Sequence, residues 1–204
     1  MMSTSLHTYC YNCFVRNNYN NSGGVMIDIN TFINISYYDQ WLDTKNKKWA
    51  GKTCAICCLK MFLVFKNNKN SKLKIMDLVK TGVRLGGYNK AVGWDHKTIT
   101  ELAQKYEIRM SYRKKFYYTK KEKLKGLAFI NKNITKGKPI MASIWNKKRT
   151  GGHMVVVNGL RKKDELVNGY FVLDPDSRGK TGYYLNKKDF LNLWRGGLLW
   201  LLDN

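Results

Sequence analysis

Residues 52–65 read KTCAICCLKMFLVF. Thr53 can cap a helix, and from Cys54 to about Phe65 the run is apolar on nearly every face. A helix that is apolar all round sits in the middle of a fold. The stretch before it, DQWLDTKNKKWAGKT (39–53), reads as a polar loop, and KNNKNSK (66–72) stops it. A cysteine in the first helical turn sees unpaired N–H groups and the positive end of the helix dipole. Both favour thiolate. Cys57 and Cys58 lie deeper in the same helix, gain neither effect, and read as core packing.

Downstream of Pro139 the pattern changes to short β-rich runs separated by turns: PIMASIW, HMVVVNGL, GYFVLD and TGYYL. A helical patch at 187–194 and a closing strand, GLLWLL (197–202), follow. Upstream, VMIDINTFINISYY (25–38) is β-branched and aromatic and reads as one or two strands. A short amphipathic helix is expected at 73–80, and a glycine-rich loop at 85–98. A helix over about 98–106 would be capped by Asp95 or Thr98. Residues 115–123 read as strand or loop, and 122–135 as helix. Helices followed by an antiparallel sheet make an α+β fold.

The sheet carries the next chemical clue. Of three histidines, His7 falls in the N-terminal tail and His96 in the predicted loop, whereas His153 opens a buried strand behind a glycine pair. A hairpin centred between residues 163 and 164 would place His153 directly opposite Asp174, with Cβ atoms about 5 Å apart. A carboxylate there fixes the imidazole tautomer and stabilises the imidazolium. A one-residue slip would turn the pair to opposite faces. Singly, His153 also reads as a hydrogen-bonded structural residue, and Asp174 as a turn residue before Pro175. Cys54, His153 and Asp174 together read as nucleophile, base and orienting group. Acyl transfer also needs donors for the tetrahedral oxygen. The backbone N–H of Cys54 is one candidate. Of two glutamines, Gln104 lies among helix surface charges, which leaves Gln40 as the other.

Composition bounds these readings. With 204 residues, 44% of them apolar, one globular domain over 31–204 is expected. Residues 1–30, polar and Asn-rich, read as a poorly ordered N-terminal extension. The net charge of +23 comes mostly from lysines scattered among asparagines. It reads as compositional bias on solvated faces, while offering a basic surface to an anionic partner. No nucleic-acid-binding motif is recognisable. Five cysteines argue against a disulfide framework. Cys10 and Cys13 form a lone CxxC with no second ligand pair, so no metal is expected. No run of 18 apolar residues and no secretory signal is visible, so the expectation is a soluble chain, cytoplasmic by default.

In their order and spacing, ISYYDQ (35–40), KTCAICCLKMFL (52–63), GGHMVVVNGL (151–160) and FVLDP (171–175) resemble papain-like cysteine peptidases of family 39, the bacteriocin-processing, double-glycine leader peptidase-like domains. GGYNKAVGWDH, GKPIMASIW and DFLNLWRGGLLWLL resemble the family's glycine-rich loop, its "GkPvi" strand and its "F…W.g" ending. The resemblance spans about residues 33–202. It implies a papain-like fold, with the nucleophile's helical part packed on an antiparallel sheet that carries the base. It also implies Cys54 as nucleophile, His153 as general base, Asp174 as its orienter and Gln40 as oxyanion donor, with no cofactor. The family's glycine after the cysteine is Ala55 here. Gln40 stands 14 positions before Cys54, with Lys48 in the nearer spot that transporter-fused members give to glutamine. That spacing resembles the stand-alone branch. The implied activity is cleavage of peptide amide bonds in a peptide or protein substrate through a thioester. A transpeptidase or acyltransferase on the same chassis, and an inactive basic peptide-binding module, are the alternatives.

Overall fold

The computed structural model describes residues 11–19, 25–114, 119–146 and 150–203. Strands β1 (Tyr11–Tyr19) and β2 (Val25–Ile33) precede helices α1 (Cys54–Lys66) and α2 (Ile75–Arg84). A two-residue-stranded hairpin, β3 (Tyr88–Asn89) and β4 (Gly93–Trp94), leads to α3 (His96–Gln104), β5 (Met110–Arg113) and α4 (Lys120–Thr135). Then come β6 (Ile140–Trp145), β7 (Gly152–Lys163), β8 (Leu166–Leu173), β9 (Gly182–Asn186), α5 (Lys187–Leu193) and β10 (Trp194–Leu201). Among the described residues, eight strands form one sheet, antiparallel at every pairing, and the expected α+β architecture is what folds.

Strand β7 organises that sheet. One edge pairs with β6 along its first half and with β2 along its second, and the other edge pairs with β8. Its alternation splits the core. Met154 and Val156 join α1, α2 and α3 in one buried cluster; Val155 and Val157 join α4 and α5 in another. Strands buried on both faces read as continuous apolar runs, which is why HMVVV shows no period of two. Helix α1 supplies the centre of the first cluster, with Ile56, Leu59, Phe62 and Leu63 fully buried. Each such side chain stabilises the fold by roughly 1.5–3 kcal/mol.

Helix α1 begins at the expected residue, but Thr53 does not cap it through its side chain. Its hydroxyl is held by Ala50 O and Thr44 Oγ1. Helix α3 begins two residues before the expected start, because Asp95 accepts from the N–H groups of Lys97 and Thr98. His96, expected in a loop, is therefore the first residue of a helix. Inside the segment expected to be poorly ordered, β1 pairs with β2, and β2 continues onto β7 across residue 30. His7, Cys10, the Cys13 side chain and residues 115–118 lie outside the described residues.

The hairpin register differs from the sequence expectation. The β7–β8 turn is centred between Asp164 and Glu165, one position later than predicted, so Val156 opposes Leu173 and Val157 opposes Val172. Both turn residues have positive φ, 48° and 64°, the geometry of a two-residue type I′ hairpin. His153 and Asp174 are consequently diagonal rather than directly opposed. The slip is two residues, not one, and the pleat keeps both on the same face.

Candidate active site

A cleft of about 480 Å³ opens beside the start of α1, lined by Cys54 and Ala55, by the β3–β4 hairpin, by the start of α3 and by the Gly151–Met154 segment. Cys54 is half-buried at its floor, while Cys57 and Cys58 are sealed in the core. Three sulfurs on neighbouring positions thus occupy different media. Burial pushes the Cys57 and Cys58 thiols well up. For Cys54 burial acts in the same direction, but hydrogen bonding to His153, the histidine's charge, and the backbone N–H groups of Met154 and Ala55 outweigh it, and the thiol is pulled below its ordinary range. The Ala55 N–H belongs to the first turn of α1, where amides lack intrahelical acceptors.

His153 Nε2 lies 2.5 Å from Asp174 Oδ1, which leaves Nδ1 as the nitrogen for the thiol. Burial alone would lower the imidazole pKa, yet Asp174 and Cys54 together raise it above the ordinary histidine value. The Asp174 carboxylate is 4% exposed as a residue and fully engaged. Besides His153 it accepts from the Asp176 N–H at 2.9 Å and the Tyr183 hydroxyl at 3.1 Å. Burial would raise its pKa; these partners, His153 first, hold it low. The arrangement is a buried carboxylate, an imidazole and a thiol in sequence, opening onto a cleft. Chemically it can present a nucleophilic sulfur next to a proton donor.

Gln40 joins this group from behind. It is buried, its backbone N–H donates to Pro175 O at 2.9 Å, and its amide nitrogen donates to Asp176 Oδ1 at 3.0 Å. Gln40 is not among the residues lining the cleft. Asp176 takes one of the two amide hydrogens. The Trp41 indole N–H donates to the same Asp176 oxygen at 2.5 Å. Trp94 does line the cleft: its indole N–H donates to Lys52 O at 2.7 Å, and it clusters with Trp49 and Tyr88. Trp145 lies beneath the guanidinium of Arg195 at 4.5 Å. Sequence reasoning missed Tyr183 and Asp176 as partners of Asp174. The only available signal was their position just beyond the β8 end, in a turn and strand with many possible alignments.

A helix bearing a thiol at its start, packed on an antiparallel sheet that brings a histidine and an aspartate to the cleft, is the papain-like cysteine peptidase fold. A sequence model of the Peptidase_C39 like family matches residues 32–196, and the chain belongs to that family. Family membership marks it as a cysteine peptidase in general type. No curated protein matches the chain. Among the described residues, no helix is long and apolar enough to cross a membrane.

Proposed function

We propose that this protein hydrolyses peptide amide bonds through a Cys54–His153–Asp174 triad and a thioester intermediate. The observation that carries the reading is the unbroken run of contacts from Cys54, which lines the cleft, through the imidazole to the buried carboxylate. In this mechanism the Cys54 thiolate attacks the carbonyl carbon, forming the C–S bond. The resulting oxyanion takes a hydrogen bond from the Cys54 N–H, and the second amide hydrogen of Gln40, which lies outside the cleft lining in the free protein, is the donor assigned to its other side. The His153 imidazolium passes its proton to the departing nitrogen as the C–N bond breaks. Water then adds to the thioester while His153 removes its proton, and collapse breaks the C–S bond and frees the acid. Asp174 orients the ring in both halves and stays ionised.

The test is selective labelling followed by product analysis. Iodoacetamide at neutral pH should alkylate Cys54 and leave Cys57 and Cys58 untouched, read by peptide mass mapping. A peptide library should be cleaved by the protein and not by Cys54→Ala. An added amine that captured the acyl group in preference to water would replace hydrolysis with acyl transfer as the reaction. Indiscriminate alkylation, or none, would remove the activated thiol on which the mechanism stands.

A further inference from the structure

Beside the Gly151–Met154 wall of the cleft lies a second group of side chains that the mechanism leaves unused. His96, Ser143, Arg195 and Lys114 all line it. His96 is 9% exposed, and its Nδ1 is buried without a hydrogen-bond partner; the buried Nε of Arg195 has none either. Buried polar atoms are nearly always satisfied in folded proteins, so two orphaned atoms on residues that line one cavity point to something that completes them. Among the described residues that line the cleft, the only carboxylate is Asp95, and it is occupied. One oxygen caps α3, and the other lies 3.8 Å from Lys114. Arg195 has no carboxylate partner among the described residues.

The backbone is shaped to hold these groups in place. Arg195 sits where β10 loses register with β6 between Trp194 and Leu198, and Gly196 there has φ 94°. Bulges of this kind re-aim a side chain. The guanidinium stacks on the Trp145 ring, which leaves its N–H edge free to donate. It also passes so close to Gly152 that a Cβ there would lie 2.0 Å from Nη1. A Cβ on Gly197 would lie 2.5 Å from the His96 ring. Two glycines are thus needed for Arg195 and His96 to occupy this corner, and Gly152 directly precedes the base.

We propose that the Arg195–His96 corner is a carboxylate subsite, seating an acidic group of the substrate beside the bond that Cys54 attacks. The inference rests on the peptidase reading for what bears the carboxylate. The forked guanidinium suits a carboxylate in two-point contact, His96 and Ser143 supply further hydrogen bonds, and Lys114 adds charge. The carboxylate belongs to a Glu or Asp side chain or to the peptide's own C-terminus.

A binding measurement on Cys54→Ala separates these sources. The probes are acetyl-Gly-Glu-Gly-amide, acetyl-Gly-Gln-Gly-amide and acetyl-Gly-Gln-Gly with a free C-terminus, followed through the Arg195 Nε–H and His96 ring resonances by NMR. The glutamate probe should shift both resonances and bind roughly tenfold or more tightly than its glutamine twin, the scale of a charge-assisted hydrogen bond. Equal or tighter binding of the free-acid probe would assign the site to a chain terminus instead of a side chain. Arg195→Gln should erase the discrimination and Arg195→Lys should restore part of it, with unchanged His153 resonances showing an intact fold. Equal binding of Glu and Gln probes, or no shift with either, overturns the subsite. Loss of the peptidase reading would look different: carboxylate-dependent binding would persist while wild-type protein cleaved no library peptide and left Cys54 unalkylated.

Discussion

Two histidines face the same cleft and have been pushed in opposite directions. His153 is bracketed by a carboxylate and a thiol, and its pKa rises despite burial. His96 is buried without a counter-ion of its own. Burial first, then the charges of Lys114 and Arg195, lower its pKa, and Asp95 opposes them only in part. The difference teaches that burial alone does not decide a histidine's charge; what decides it is which atoms meet the second ring nitrogen. The surroundings of His153 favour its protonated form, and those of His96 favour its neutral form.

Removing the sulfur should break the contrast most completely. Cys54→Ala should lower peptide cleavage by at least about 10⁴-fold, since triad members act as a unit, while circular dichroism shows an unchanged fold. His153→Ala should lose about 10³-fold or more and also change the thiol. In the native protein, alkylation of Cys54 should persist at pH values below the ordinary thiol range, because its pKa is lowered. Without His153 the alkylation rate should rise only at more alkaline pH. In the native protein the rate profile should be a bell, its acid limb set by formation of the thiolate and its basic limb by loss of the His153 proton. A flat profile would contradict the pairing. Gln40→Ala should reduce kcat by about 10²–10³-fold if its second hydrogen reaches the oxyanion, with iodoacetamide labelling of Cys54 preserved. A parallel loss of labelling would place Gln40 in support of the Asp174–Asp176 turn instead.

The smallest effect belongs to His96 and concerns stability. A buried base with a lowered pKa binds fewer protons in the folded state than in the unfolded state, so stability falls as pH drops below the ordinary histidine value of 6.5. His96→Leu should flatten that part of the Tm–pH curve. Asp174, lowered in the folded state, contributes stability above its ordinary value of 3.8 and loses it on further acidification. The native curve should therefore show two descents, of which His96→Leu removes the upper.

The fold and the meeting of Cys54, His153 and Asp174 were largely legible, because their signals are local. An apolar run after a polar loop marks α1, and a helix start is where a thiol ionises. The β7–β8 turn was misplaced because Asp164 and Glu165 adopt positive φ, a conformation that neither residue advertises as Asn-Gly would. The His153–Asp174 pairing survived that error only through the even size of the slip. His96 and Arg195 were illegible as a pair. One depends on where Asp95 caps a helix, the other on a bulge in β10 a hundred residues away, and their meeting is a product of the sheet order.

The left-handed turn at Asp164–Glu165 has a consequence for how this chain can tolerate changes in length. Because it sets which β7 residue lies diagonal to Asp174, inserting one residue there would carry the carboxylate to the far side of the hairpin, ten positions from the edit. Inserting two would slide it along the same side. Natural or engineered length variation at this tip should therefore survive in pairs of residues and fail in singles, a parity rule imposed by the pleat on a site that the tip never touches.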